Sequence, residues 1–128
     1  MQNEYIKSND LFAEQQFEKM YERLPRPVLV ADQLRNADNA GALIRLADNL
    51  GAKEVLFVGN ETDMKASRLK RSAASSVGNI PWSFVSDSEL MSRLPVGYTL
   101  VGIETSTEAT NLFSTPLPDA VVFFVGNE

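Results

Sequence analysis

The chain has 128 residues, enough for one domain that buries roughly two-thirds of the surface its unfolded form exposes. A hydrophobic content of 44% argues against disorder, and a net charge of −5 weighs, though weakly, against phosphate-rich partners. With no histidine and no cysteine, it can form neither a Ser-His-Asp nor a Cys-His catalytic centre, and neither a disulfide framework nor a thiolate metal site.

Along the chain, helical and apolar segments alternate. Asp10 to Leu24 reads as an N-terminal helix with Leu11, Phe12, Gln15, Phe17 and Met20 near its apolar side, ended by Pro25 and Pro27. Val28 to Asp32 is nearly all apolar, as suits a strand covered on both faces. A helix is expected from Ala40 to Leu50, with Leu43, Leu46, Ala47 and Leu50 as its core stripe and Gly51 as its stop. Val55 to Val58 is a second strand ending at Gly59, and a basic helix covers about Asp63 to Arg71. The small residues from Ser72 to Gly78 read as a loop leading to Ile80-Pro81-Trp82 and a short strand from Ser83 to Val85. Asp87 to Leu94 is a helix closed by Pro95, and Tyr98 to Ile103 and Ala120 to Val125 are two further strands. Strands interleaved with helices indicate an α/β fold with a mostly parallel sheet covered on both faces. No apolar run approaches the roughly 20 residues that span a bilayer. The start, Met1-Gln2-Asn3-Glu4-Tyr5, lacks the blocks of a secretory signal, so a cytoplasmic domain is expected.

The segment from Asn36 to Arg45 is the most informative, because a polar turn between strand and helix is where α/β proteins build sites. Asn39 is the expected N-cap of the helix. Gly41 leaves room for close approach by a ligand or by another backbone, and Arg45 lies one turn further on the same face. The same spacing fits a capped helix whose arginine is solvated or pairs with Asp48. Lys65, Arg68, Lys70 and Arg71 form a cation run without an intervening acid, with Arg35 and Arg45 elsewhere. They read either as a solvated helix face or as a patch for phosphates. Phe57-Val58-Gly59-Asn60-Glu61 recurs as Phe124-Val125-Gly126-Asn127-Glu128, which we read as convergence of two buried strands that end in glycine turns.

Taken together, these residues resemble a known family. Asn39-x-Gly41-x-x-x-Arg45-x-Ala47, between a strand and Gly51, is similar to the first motif of the SpoU (TrmH) RNA methyltransferases of the SPOUT superfamily. Ser76-x-Gly78-x-x-Pro81 resembles the family's link to its third strand, and Val122 to Glu128 resembles its second motif, a buried strand running into Gly-Asn-Glu. The resemblance runs from Pro27 to Glu128 and leaves residues 1–26 as an N-terminal helical extension.

That resemblance implies a Rossmann-like SPOUT fold and transfer of a methyl group from S-adenosyl-L-methionine to a ribose 2′-hydroxyl of tRNA or rRNA. It assigns Arg45 to activation of the hydroxyl with help from an RNA phosphate, Asn39 to orientation, and Glu128 to holding the guanidinium. Ile103, Glu104 and Gly126 match the region whose backbone contacts the cofactor. Lys65, Arg68, Lys70 and Arg71, with Arg45, are the candidate RNA contacts, and no metal is implied. Members of the family continue past Gly-Asn-Glu into a third motif that threads a trefoil knot, completing the adenosine pocket and much of a homodimer contact. The sequence stops before that motif, so the expectation is an incomplete domain with an open cofactor pocket, unable to catalyse alone and lowered in stability or prone to associate. Two other classes stay open: a non-catalytic RNA- or nucleotide-binding α/β module, and a dinucleotide-binding Rossmann domain, against which no G-x-G-x-x-G follows any strand.

Overall fold

A computed structural model describes residues 17–126. The upstream part of the expected first helix, with Leu11, Phe12 and Gln15, lies outside the described residues, as do Asn127 and Glu128. Five strands, β1 (Val28–Asp32), β2 (Glu54–Val58), β3 (Trp82–Val85), β4 (Thr99–Ile103) and β5 (Val121–Val125), run parallel in one sheet ordered β3-β2-β1-β5-β4. The helices are α1 (Phe17–Tyr21), α2 (Ala37–Leu50), α3 (Ala66–Ala73) and α4 (Asp87–Arg93).

The order follows from where each strand puts its side chains. Leu29, Ala31, Val55 and Phe57 project to one face and pack with Ala40, Ile44 and Ala47 of α2 and Leu69 and Ala73 of α3. Val28, Val30, Leu56, Val58, Val85 and Val122 project to the other, against Leu90 of α4 and Leu94 just beyond it. With both faces covered, strands β1 and β2 are apolar almost throughout. The chain winds outward from β1 to β3, crosses under the sheet through α4 to the far edge at β4, and returns to β5 beside β1. The winding direction therefore reverses between β1 and β5, and at such a reversal the carboxyl ends of the strands open a crevice.

Helix α2 begins three residues earlier than its sequence suggests. Asn36, in extended conformation, is the N-cap, and its side chain accepts the backbone N–H of Asn39 at 3.0 Å. Asn39 thus belongs to the first turn and caps nothing. Of the expected stripe, Ala47 is buried and Leu43 packs against the core, but Leu46 is 50% and Leu50 37% exposed, and Ala37, Ala40, Gly41 and Ile44 complete the inner face. Small residues face inward because α3 crosses α2 there. A Cβ on Gly41 would fall 2.7 Å from both the Ala73 N and the Leu69 O atoms and would clash with the Ser72 Cβ. Of the two uses of a bare backbone at Gly41, close approach of another backbone is the one realised.

Other boundaries shift for local reasons. The expected basic helix is split into a 310 turn at Glu61–Asp63, which Asn60 caps, and α3 itself. The expected loop after it is the end of α3 and a second 310 turn, Ala74–Gly78. At the other end of α2, the Gly51 N–H reaches Ala47 O and Asp48 O from a left-handed conformation (φ 70°). There α1 docks, with the Tyr21 hydroxyl donating to Leu50 O at 2.7 Å and Arg26 Nη1 donating to Gly51 O at 2.7 Å.

The twin pentapeptides end strands on either side of β1, but one step out of register. Phe57 pairs with Ala31 and Phe124 with Val30, so the two phenylalanines face opposite sides of the sheet.

Gly41→Ala should lower the urea midpoint, although alanine is favoured by about 1 kcal/mol in a helix interior. Overpacking costs about 1–3 kcal/mol, and here the obstructing atoms are backbone, so the net change should be a loss of roughly 1 kcal/mol or more. A stabilised variant would contradict the close crossing.

Candidate active site

At the reversal point the carboxyl ends of β1, β4 and β5 surround a hollow of about 510 Å³. Asp32 ends β1. Gly102, Ile103, Glu104 and Thr105 come from the end of β4, and Phe124, Val125 and Gly126 from the end of β5. Nothing stands within 4 Å of where a Cβ on Gly102 or Gly126 would be, so both glycines leave the space open. The three residues matched to cofactor contact, Ile103, Glu104 and Gly126, thus meet in one place. Asp32 and Thr105 join them and were not singled out from the sequence. The available signal was a carboxylate closing an otherwise apolar parallel strand, at the sheet edge where ligands bind.

A broader hollow of about 910 Å³ lies off the reversal point, at the ends of β2 and β3, and includes Gln33, Gly59 and Asn60. Gln33 follows Asp32 directly, so one peptide unit separates the two hollows. It holds a left-handed conformation (φ 56°), and its N–H donates to Val58 O at 2.8 Å.

Asn39 and Arg45 do not converge. Six helical residues leave them about 120° apart around the axis and about 9 Å apart along it. Asn39 faces an apolar groove with Leu34, Leu43, Leu46 and Val125. Arg45 shares the other flank of α2 with Asp38, Gly41 and Asp48, the flank that meets α3 and the turn after it. Neither residue lines the hollow at the reversal point. Arg45 is exposed and makes no salt bridge or hydrogen bond among the described residues. The i,i+3 pairing with Asp48 does not form; Asp48 Oδ2 instead accepts from Ser76 Oγ at 2.8 Å and from Asn79 Nδ2 at 3.3 Å. Those two bonds tie the Ser76-x-Gly78-x-x-Pro81 segment to α2. Glu128, the matched partner of the guanidinium, lies outside the described residues.

Among the cations of α3, Lys65, Lys70 and Arg71 are exposed, and Arg68 Nε meets Asp38 Oδ2 at 3.3 Å. Asp38 Oδ1 also accepts from Ser72 Oγ at 2.6 Å. The Ser72 hydrogen bond, then the Arg68 charge, hold the Asp38 carboxyl below the usual carboxylate range, with Arg71 adding to the effect.

A sequence model of the SpoU rRNA Methylase family matches residues 26–128. The chain belongs to that family. The mouse protein tRNA (guanosine(18)-2'-O)-methyltransferase TARBP1 is 27% identical over 114 residues, which are 86% of this chain and 7% of that protein. Two solved structures share the fold. The SpoU methyltransferase AviRb from Streptomyces viridochromogenes, in complex with the cofactor AdoMet, is 24% identical with a TM-score of 0.68 over 83% of this chain and 42% of that one. The A. aeolicus TrmH/SpoU tRNA modifying enzyme is 21% identical with a TM-score of 0.67 over 90% of this chain and 61% of that one. The chain therefore spans well under half of the mouse and Streptomyces proteins and under two-thirds of the A. aeolicus chain.

Because Asp38 titrates lower folded than unfolded, the stability it adds is complete above the ordinary carboxylate range and disappears as pH falls through the lowered value. The thermal midpoint of the wild type should therefore drop more steeply below about pH 4 than that of Asp38→Asn. Parallel curves would show that the Ser72–Asp38–Arg68 contacts carry no such coupling.

Proposed function

We propose that the protein belongs to a machinery that methylates ribose 2′-hydroxyls of tRNA or rRNA, with S-adenosyl-L-methionine as methyl donor and in the cytoplasm. The observation that carries this reading is the meeting of Ile103, Glu104, Gly126 and Asp32 around one hollow at the reversal point of a SpoU-family sheet. Its volume falls within the usual range for small-molecule sites of roughly 300–1,000 Å³. Its lining suits the donor: carboxylates of Asp32 and Glu104 to accept from hydroxyl or amino groups, apolar Ile103 and Val125 beside a flat base, and bare backbone at Gly102 and Gly126. When bound, the donor supplies a methyl carbon made electrophilic by its sulfonium.

In this reading Arg45 provides charge. A guanidinium with a pKa above about 12 stays protonated, so by itself it is no general base. It attracts an RNA phosphate and stabilises negative charge growing on the 2′-oxygen, which is cheaper than free deprotonation. Lys65, Arg68, Lys70 and Arg71 hold the RNA through its backbone. Arg45 and the hollow lie apart within one chain, which supports a homodimer as the working form, with residues of two chains meeting over the substrate. The same separation favours the alternative, an RNA-binding module without catalysis, and the experiment is built to divide them.

The experiment incubates the protein, as this chain and as a version extended past Glu128, with tritiated S-adenosylmethionine and unmodified tRNA and rRNA fragments, then hydrolyses the RNA in alkali. Label in alkali-resistant dinucleotides identifies a 2′-O-methyl product, since a blocked hydroxyl cannot cleave its phosphodiester. Arg45→Ala should lower this label at least 100-fold, about 2.7 kcal/mol of transition-state stabilisation, while leaving the melting temperature in place. Glu104→Gln should weaken donor binding measured by calorimetry. RNA binding without donor binding, both by this chain and by a version extended past Glu128, would instead establish the non-catalytic module.

A further inference from the structure

Between the starts of α2 and α3 lies a hollow of about 330 Å³, whose rim carries Arg35, Lys65 and Arg68. Asp38 is the single acid among its lining residues, and both of its carboxylate oxygens are engaged: Oδ1 by Ser72 and Oδ2 by Arg68. Arg35 and Lys65 are exposed and make no salt bridge among the described residues. Three cations around a small hollow repel one another, and one carboxylate leaves two positive charges uncompensated. Arg68 is held differently from the other two. Its contact with Asp38 is made through Nε, at 3.3 Å from Oδ2. The two terminal amino groups have no partner among the described residues, and the edge they form matches a pair of phosphate oxygens.

We propose that this hollow seats one backbone phosphate of the RNA, gripped by Arg68, Arg35 and Lys65, with Asp38 and Ser72 as positioning residues that hold Arg68 in its gripping orientation. The proposal deepens the RNA-methylation reading and rests on it, since it supposes that the protein binds RNA. It adds Arg35 to the RNA contacts and gives an acidic residue a part in binding an anion. On bulk charge alone Asp38 would oppose RNA, whereas as a buttress it promotes binding, and the two roles have opposite signs on substitution.

Affinity of the 128-residue protein for an unmodified tRNA transcript is measured across a salt series. For the Arg35→Ala, Lys65→Ala double variant, whose changes are both at exposed positions, the logarithmic salt slope should fall by about 1. Asp38→Asn should weaken binding three-fold or more, despite adding one unit of net positive charge. Inorganic phosphate in the millimolar range should fail to compete, because it lacks the flanking nucleotides that the other cations hold. Tighter binding by Asp38→Asn would overturn the positioning role, and an unchanged slope in the double variant would overturn the site. Competition by inorganic phosphate would assign the hollow to a free anion instead. A wild type that binds no RNA would overturn the underlying reading, and that outcome is distinct from all three.

Discussion

The backbone of α3 lies directly on the bare Cα of Gly41, and much of the molecule is arranged around that crossing. Because no side chain intervenes, α3 sits low over α2, which brings Ser72 and Arg68 within reach of Asp38 and Ser76 within reach of Asp48. Those contacts in turn fix which side of α3 faces water. Leu69 and Ala73 go into the core with Ile44, and the cations go outward. A single missing methyl group therefore determines both the thickness of the helical layer and the position of the positive surface. Deleting the Ile44 side chain would cost more free energy, on the order of 2–5 kcal/mol, but would leave that arrangement of charges in place.

The centre of the sheet was legible because strands buried on both faces, as β1 and β2 are, are written as unbroken apolar runs. Val28 to Ala31 and Val55 to Val58 leave little else to read. The helices were less so. Asn36 and Asn39 are both competent caps three residues apart, and only the backbone geometry, extended at Asn36 and helical beyond it, separates them. Leu46 and Leu50 of α2 misled because bulk dominates any apolar stripe, while beside Ile44 the inner face uses alanine and glycine to admit a second helix. Ala74 closes α3 at a positive φ (53°) that alanine seldom adopts, so no glycine marks the end in the sequence.

The site was legible in parts. The ends of β4 and β5 meet because parallel strands finish at the same rim, which follows from the element order once β5 returns beside β1. That Asn39 and Arg45 diverge follows from helical geometry alone, although a shared motif invites placing them together. Asp32 escaped notice because it closes a strand and looks like the first residue of a turn. The Asp38–Arg68 pair joins residues thirty positions apart, and no local pattern announces it.

Gln33 lines the wider hollow one residue after Asp32 of the other, in a conformation that costs a non-glycine residue about 1–2 kcal/mol. That torsion is held by the Gln33 N–H bond to Val58 O, which keeps the chain against β2 as it leaves the sheet.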